Sequence, residues 1–207
     1  FSSSLCSAAP AVPVTARSLI AQGDAFDAKL DTASALAVYL KAEPLDPKNA
    51  DLLIKIAKQY GESMVGLSDA DDKRKLGNQA IDYAKRAVEL APKSGQAHLA
   101  LAICYGRVIL LVSNKTKVEY SRLVRDQVTL ATQLDPSLDF AWHVLGRWHQ
   151  GIAGANSLLL GLARLIYGEI PAASNDEAVS CFKKAIALRP ERLIHHMELG
   201  RTYAQMG

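Results

Sequence analysis

The stretch from Asp139 to Pro190 constrains the fold most, because eight of its residues recur at the spacing of a two-helix unit. They are Trp142, Leu145, Gly146, His149, Ala178, Phe182, Ala185 and Pro190. In such a unit the Gly lets two antiparallel helices approach, an aromatic ring fills the space beside it, and the Pro ends the second helix. Between His149 and Ala178 lie 28 residues, where a plain unit has about 8. The spacing therefore predicts a helical pair that carries an insert of roughly 20 residues.

This order of residues resembles the tetratricopeptide repeat, W-x2-L-G-x2-Y followed by A-x3-F and a closing Pro. Four prolines close successive pairs at intervals of 44 to 54 residues: Pro47, Pro92, Pro136 and Pro190. A plain repeat spans about 34 residues. A fifth pair begins at Arg192, and the sequence stops within its first helix. The pattern predicts an all-α, right-handed solenoid with extended repeats, nine main helices and at least one inserted helix.

Counting back from Pro47 gives the packing positions of the first pair. They hold small, aliphatic or aromatic residues: Leu19, Gly23, Phe26, Ala35, Tyr39 and Ala42. We expect helices near Val14 to Ala28 and Asp31 to Ala42, and the second pair opens at Asn49 or Ala50. Within the second pair, we interpret Ser63 to Leu76 as a solvated loop that caps the next helix.

The length and composition fit one domain. The 207 residues are 49% hydrophobic, enough to bury a sizeable core, and repeat proteins grow by adding repeats. We expect residues 15–207 to form one helical domain, truncated at its C-terminal end. Residues 1–14 carry no charge and are expected to be a flexible leader. Two interpretations of this leader stay open: the end of a cleaved signal or transit sequence, suggested by small residues from Ser7 to Ala11, and an ordinary disordered segment.

The charge distribution limits the partners. A net charge of +3 is too small to indicate nucleic acid. Basic residues concentrate from Lys93 to Arg125, where Glu119 is the one acidic residue. The basic patch that we single out consists of Lys115, Lys117, Arg122 and Arg125. Either it is a solvated helix face, or it attracts an acidic surface such as an anionic membrane or the acidic tail of a protein.

No motif in the sequence indicates catalysis or metal binding. His143 and His149 are six residues apart, about 240° around a helix, unlike the i, i+4 pair that binds zinc. Cys6, Cys104 and Cys181 show no CxxC spacing, so neither a zinc site nor a disulfide framework is indicated. No nucleophile elbow, phosphate-binding loop or dinucleotide fingerprint occurs. We expect a non-enzymatic protein without a metal or cofactor.

Three segments go beyond the general repeat pattern. They are Ala80 to Ala87 with Ala97 to Cys104, then His143 to Trp148, then Leu165 to Pro171 leading into Glu177. Leu-Gly-x-Trp followed by an apolar insert and a Gly-Glu-x-Pro turn resembles the regulator of microtubule dynamics family, over roughly Asp46 to Gln205. The resemblance implies an adaptor associated with microtubules, spindle poles, mitochondria or endoplasmic reticulum. It also implies a cytoplasmic or mitochondrion-associated location, with export as the alternative if residues 1–14 end a signal sequence.

Two functions stay open at this point. The first is an interaction scaffold whose first helices line a concave groove for a protein or peptide. The register places these residues on the groove side: Ile20, Asp24, Ile54, Lys58, Leu99, Ile103, His143, Arg147, Met197 and Arg201. The second is a phospholipid-binding or lipid-transfer module at a membrane contact, an activity that the resemblance implies for one branch of the family.

The insert bears on the choice between these functions. Its apolar residues recur at helical spacing: Leu158, Leu162, Leu165 and Ile166. Such a stripe indicates a helix with a wide apolar side. It packs over its own repeat in one interpretation, and forms the wall of a site for an acyl chain or a partner helix in the other.

Overall fold

The computed structural model describes residues 14–155, 160–161, 164–165 and 172–207. Residues 14–155 and 172–207 hold nine α-helices and no β-strand. The helices are α1 (Ala16–Asp27), α2 (Thr32–Ala42), α3 (Ala50–Glu62), α4 (Ala70–Leu90), α5 (Gly95–Val108), α6 (Asn114–Leu134), α7 (Asp139–Ala153), α8 (Asn175–Leu188) and α9 (Leu193–Met206). Short 3-10 turns lie at Glu43–Leu45 and Ile109–Leu111. The all-α repeat fold predicted from the sequence is confirmed.

The chain divides into two compact units. One ends at Pro47 and contains α1 and α2; the other runs from Lys48 to Gly207 and contains α3 to α9. In the second unit α3 packs against α4, α5 against α6, and α7 against α8. The first helices also pack in succession, α3 on α5, α5 on α7 and α7 on α9. We call the outer surface of α3, α5, α7 and α9 the first-helix face.

Local capping signals set where most helices begin. Seven side chains accept a hydrogen bond from the backbone N–H three residues later: Thr15, Asp31, Asn49, Asp69, Ser94, Ser113 and Ser174. Asp, Asn, Ser and Thr side chains cap helices in this way because the first N–H groups of a helix have no partner within the helix. The start of α3 at Ala50 and the start of α8 after Ser174 therefore lie where the sequence predicts them.

One boundary prediction was wrong. We interpreted Ser63 to Leu76 as a loop, but α4 already begins at Ala70 because Asp69 caps it. The helices α4 and α6 have 21 residues each. The additional length of the second and third pairs therefore lies largely in long second helices, and a run of aspartates marked a helix start instead of a loop.

The small-residue contact predicted within each pair is present where a Gly provides it. A methyl carbon added at Gly146 would lie 2.9 Å from the ring of Phe182, and one at Gly23 would lie 2.3 Å from the ring of Tyr39. Both rings are fully buried. Each Gly therefore leaves room for an aromatic ring of the second helix, and the two helices approach closely at that point.

A hydrogen bond that was not predicted from the sequence ties successive pairs together. A ring nitrogen near the start of a first helix bonds the carbonyl of the proline that closes the preceding pair. The bonds join His98 to Pro92, Trp142 to Pro136 and His196 to Pro190, at 3.0, 2.9 and 2.9 Å. Because a carbonyl oxygen only accepts, the ring nitrogen donates in each case. The sequence signal is a His or Trp six residues after Pro92, Pro136 and Pro190, whereas Leu53 occupies that position after Pro47.

The core of the second unit continues across its pairs. One cluster joins Ala57 of α3, Ala84 of α4, Tyr105 of α5 and Trp148 of α7. The helices thus bury their apolar sides against one another. Across the part of the chain that the structure describes, none of the helices is long and apolar enough to span a membrane.

The contact at Gly146 leads to a first prediction. Gly146→Ala is expected to destabilise the protein by about 1 to 3 kcal/mol, because the new methyl group must displace a buried ring. Urea unfolding followed by circular dichroism measures the change.

Gly200→Ala is the matched control. Gly200 occupies the corresponding position of α9, and a methyl group there meets no atom of the described residues within 4 Å. We expect this variant to be unchanged or stabilised by up to about 1 kcal/mol, the helix propensity of Ala over Gly. Equal destabilisation by the two substitutions would show that the register is wrong.

Candidate functional site

The residues predicted for the groove are divided between the two units. Ile20 and Asp24 lie in the first unit, where both are half-buried and Asp24 accepts a hydrogen bond from the Tyr39 hydroxyl at 2.7 Å. The other eight lie on the four first helices of the second unit: Ile54, Lys58, Leu99, Ile103, His143, Arg147, Met197 and Arg201.

These eight residues differ in how far they reach solvent. The exposed ones are Lys58, Arg147, Met197 and Arg201, and the half-buried ones are Ile54 and Ile103. Leu99 and His143 are buried. Leu99 belongs to a core cluster with Ala102 and Ala141, so it holds α5 against its neighbours. The exposed members of the set on α7 and α9 are therefore two arginines and a methionine.

The contact between α7 and α9 is polar, and we call it the α7–α9 seam. His195 of α9 is fully buried. Its Nδ1 lies 3.0 Å from Nδ1 of His143, and its Nε2 lies 2.9 Å from Oδ2 of Asp139. A carboxylate only accepts, so His195 donates from Nε2 to Asp139. Arg192 adds an ion pair to the same carboxylate oxygen at 2.8 Å.

The environment of His143 keeps this ring neutral. Burial, and then the neighbouring His195, lower the pKa of His143 from 6.5 to about 4. Glu198 and Asp139 act in the opposite direction, and Arg147 lowers the pKa further. Because the two Nδ1 atoms share one proton, one ring donates and the other accepts. Protonating both rings would break the bond between α7 and α9.

Glu198 forms the centre of the seam. Its side chain is 2% exposed, and its Oε1 accepts from Nη1 of Arg147 at 2.7 Å and from Nη1 of Arg201 at 2.8 Å. The arginine side chains are 49% and 61% exposed. The second oxygen, Oε2, is buried and has no hydrogen-bond partner among the described residues. Two guanidinium groups from neighbouring first helices thus meet over one buried carboxylate, and the local charge is positive.

Amide and hydroxyl groups continue the seam toward the end of α7. Gln150 donates from Nε2 to the Thr202 hydroxyl at 3.0 Å, and Gln205 donates from Nε2 to the Gln150 carbonyl at 3.2 Å. Burial of Glu198, His195 and Thr202 was not predicted from the sequence. Their recurrence every three or four residues along α9 was the available signal, since it places them on one side of the helix.

The predicted basic patch lies on α6, a second helix. At 100° per residue, Lys115 and Arg122 lie within about 20° of each other, whereas Lys117 lies about 160° from Lys115. Arg125 donates from Nε to Asp126 at 2.8 Å. The helix therefore does not bring all four basic side chains to one surface, and none of them is on a first helix.

Most of the predicted apolar insert falls outside the described residues, including Leu158, Leu162 and Ile166. Leu165 is described; it is helical and 83% exposed. Elsewhere, burial raises the pKa of the Cys104 thiol to about 12 and that of the Cys181 thiol to about 11. Within the described ranges, no group of three or more His, Cys, Asp or Glu side chains is arranged to hold a metal ion.

Comparison with known families and proteins adds to this geometry. Residues 19–207 match the family described as regulator of microtubule dynamics protein 1-3. Regulator of microtubule dynamics protein 2 of Macaca fascicularis is 25% identical over 157 residues, covering 75% of this chain and 38% of that protein. Regulator of microtubule dynamics protein 1 of Bos taurus is 26% identical over 164 residues, covering 78% of this chain and 51% of that protein. The chain spans about half or less of these relatives.

Two solved structures support the fold. A MamA crystal structure is 22% identical with a TM-score of 0.51, covering 91% of this chain and 81% of that one. A thermophilic tetratricopeptide-repeat protein of Thermus thermophilus is 15% identical with a TM-score of 0.57, covering 92% of this chain and all of that one. The tetratricopeptide-like fold predicted from the sequence is thereby confirmed.

The neutral His143 leads to a prediction about acid stability. Its pKa is 6.5 in the unfolded chain and about 4 in the folded one, so folding favours the neutral ring. Between pH 6.5 and 4 the unfolded chain binds a proton at His143 more readily than the folded chain does. The free energy of unfolding is therefore unaffected by His143 above pH 6.5 and falls by up to about 3 kcal/mol as the pH decreases toward 4. Urea unfolding across this pH range measures the loss. His143→Gln, which cannot titrate, should lose less, and an equal loss in both proteins would exclude His143 as the source.

Proposed function

The chain belongs to the regulator of microtubule dynamics family, and from that premise we propose that it is a non-enzymatic scaffold that binds an acidic segment of a protein partner. The observation that carries this proposal is the convergence of Arg147 and Arg201 over the buried Glu198. The first-helix face around these arginines is the surface on which we place the partner.

The arginine pair has the chemistry to bind a carboxylate. Each guanidinium has five N–H donors in a planar fork that matches the two oxygens of a carboxylate. Glu198 accepts from one nitrogen of each arginine. The remaining N–H donors of both guanidinium groups lie on exposed side chains. The ion pair with Glu198 also orders the arginines before a partner arrives, which lowers the entropy cost of binding.

The surroundings of the pair favour a peptide over a small anion. Met197 lies one helical turn before Arg201 and is exposed. Exposed Lys58 adds a further cation on the same face, on α3. An extended acidic segment can contact cations and an apolar side chain together. The relatives are named as regulators of microtubule dynamics, so we propose that the segment is the acidic tail of a microtubule protein.

Co-sedimentation with microtubules tests the proposal. In the triple variant Arg147→Gln, Arg201→Gln, Glu198→Gln, binding should fall about tenfold or more, the cost typical of central arginine contacts. The buried charge is removed with its partners, so no unpaired carboxylate destabilises the fold.

Arg189→Gln is the matched control, since it changes the net charge by the same amount as the triple variant. Arg189 is exposed, pairs with Glu191 and lies outside the first helices. We expect its binding to be unchanged. Equal weakening by the control and the triple variant would show that net charge, and not the arginine pair, governs binding. Unchanged binding by the triple variant would refute the proposed site.

A second candidate function is phospholipid binding, and one observation favours it. Leu165 is 83% exposed within the predicted apolar insert, and a leucine on such a stripe gains about 1.5 to 3 kcal/mol when it is covered. In this second proposal an acyl chain covers the insert. Mass spectrometry of lipid extracted from the purified protein tests it: bound phospholipid near one per chain supports lipid binding, and its absence leaves the protein scaffold as the function.

A further inference from the structure

The turn between α5 and α6 projects an apolar side chain into solvent. The 3-10 turn Ile109–Leu111 connects the two helices, and Leu110 at its centre is 81% exposed. Ile109, Leu111 and Val112 are half-buried. Together these four residues form what we call the α5–α6 tip.

The base of the tip is anchored in the core. Val108, the last residue of α5, is fully buried. A methyl group added at Gly77 of α4 would lie 2.3 Å from the Val108 side chain. The absence of a side chain at Gly77 therefore lets Val108 pack directly against α4. Leu111 and Val112 pack against the same core cluster. The tip is thus a fixed projection, and Leu110 is presented at its end.

Lysines follow the tip directly. Ser113 caps α6, and Lys115 and Lys117 lie in its first turn, where there is no acidic residue. The N-terminus of a helix carries partial positive charge, so lysines there do not stabilise the helix. Lys115 and Lys117 lie on different sides of α6, but both are in the first turn of the helix, next to the tip.

We propose that the α5–α6 tip docks on the surface of an anionic lipid bilayer. Leu110 enters the boundary between headgroups and acyl chains, and Lys115 and Lys117 meet the lipid phosphates. Charge complementarity and shape both favour this occupant. A bilayer accepts a single projecting aliphatic side chain flanked by cations, whereas the centre of a protein interface is a larger patch depleted of charge.

The neighbouring turn, before α4, provides an internal comparison. It also presents an exposed aliphatic residue, Val65 at 73%, but the charges beside this turn balance, since Asp69, Asp71 and Asp72 are followed by Lys73, Arg74 and Lys75. An anionic surface therefore gains little attraction at that turn. The two turns therefore share exposed apolar side chains and differ in the charge that follows them.

Vesicle co-sedimentation at low salt tests the proposal with the native chain. It should bind vesicles of phosphatidylcholine with phosphatidylserine, and bind vesicles of phosphatidylcholine alone only weakly.

Leu110→Ser should lower the affinity of the protein for the phosphatidylserine vesicles about tenfold, the cost of leaving one leucine in water. Lys115→Glu with Lys117→Glu should lower it further, and added salt should weaken binding of the native chain. Leu110→Trp should bind more tightly, since Trp favours the membrane interface.

Val65→Ser is the matched control and should leave vesicle binding unchanged. Thermal unfolding of Leu110→Ser and of Val65→Ser should match that of the native chain, because both substituted side chains are exposed. The proposal is overturned if the native chain does not bind phosphatidylserine vesicles, if Leu110→Ser binds as tightly as native, or if Val65→Ser weakens binding equally. It is also overturned if the lysine reversal weakens binding to microtubules but not to vesicles. None of these outcomes depends on Arg147 or Arg201, so failure here is distinguishable from failure of the proposed scaffold function.

Discussion

The close approach of two helices at a glycine is the contact on which this structure depends. At Gly146 the ring of Phe182 occupies the space that a side chain would fill, and at Gly23 the ring of Tyr39 does the same. This contact uses one side of α1 and one side of α7. In the second unit, the remaining sides pack first helix on first helix. The packing thereby generates the first-helix face and decides which side chains can reach a partner.

The seam between α7 and α9 shows that successive first helices need not meet through apolar contacts. Here Glu198, Asp139 and His195 are buried or nearly so, and their stability requires paired hydrogen bonds. The same arginines that neutralise Glu198 provide the exposed donors of the proposed site. Binding of an acidic partner and the integrity of the seam are therefore coupled, since both draw on Arg147 and Arg201.

Local and periodic features could be predicted from the sequence, whereas contacts between distant residues could not. The Gly and Phe positions and the caps at Asn49 and Ser174 follow from spacing and from side-chain chemistry near the helix end. The register also placed Arg147 and Arg201 on one side of their helices. The register did not show that the two arginines converge, because their convergence depends on Glu198. In the sequence Glu198 has no feature that distinguishes it from a surface residue, and it is buried only because α9 packs on α7. Leu99 differs from its prediction in another way: it was predicted to line the groove, but its side chain is buried between helices.

The central claim is that an acidic partner binds at Arg147 and Arg201 on the first-helix face. The most direct measurement is NMR of the arginine Nε–Hε groups and methionine methyl groups while a glutamate-rich peptide is added. We expect the largest shifts at Arg147 and Arg201, together with the methyl group of Met197. Largest shifts at Arg122 and Arg125 on α6, with Arg147 and Arg201 unchanged, would contradict the claim.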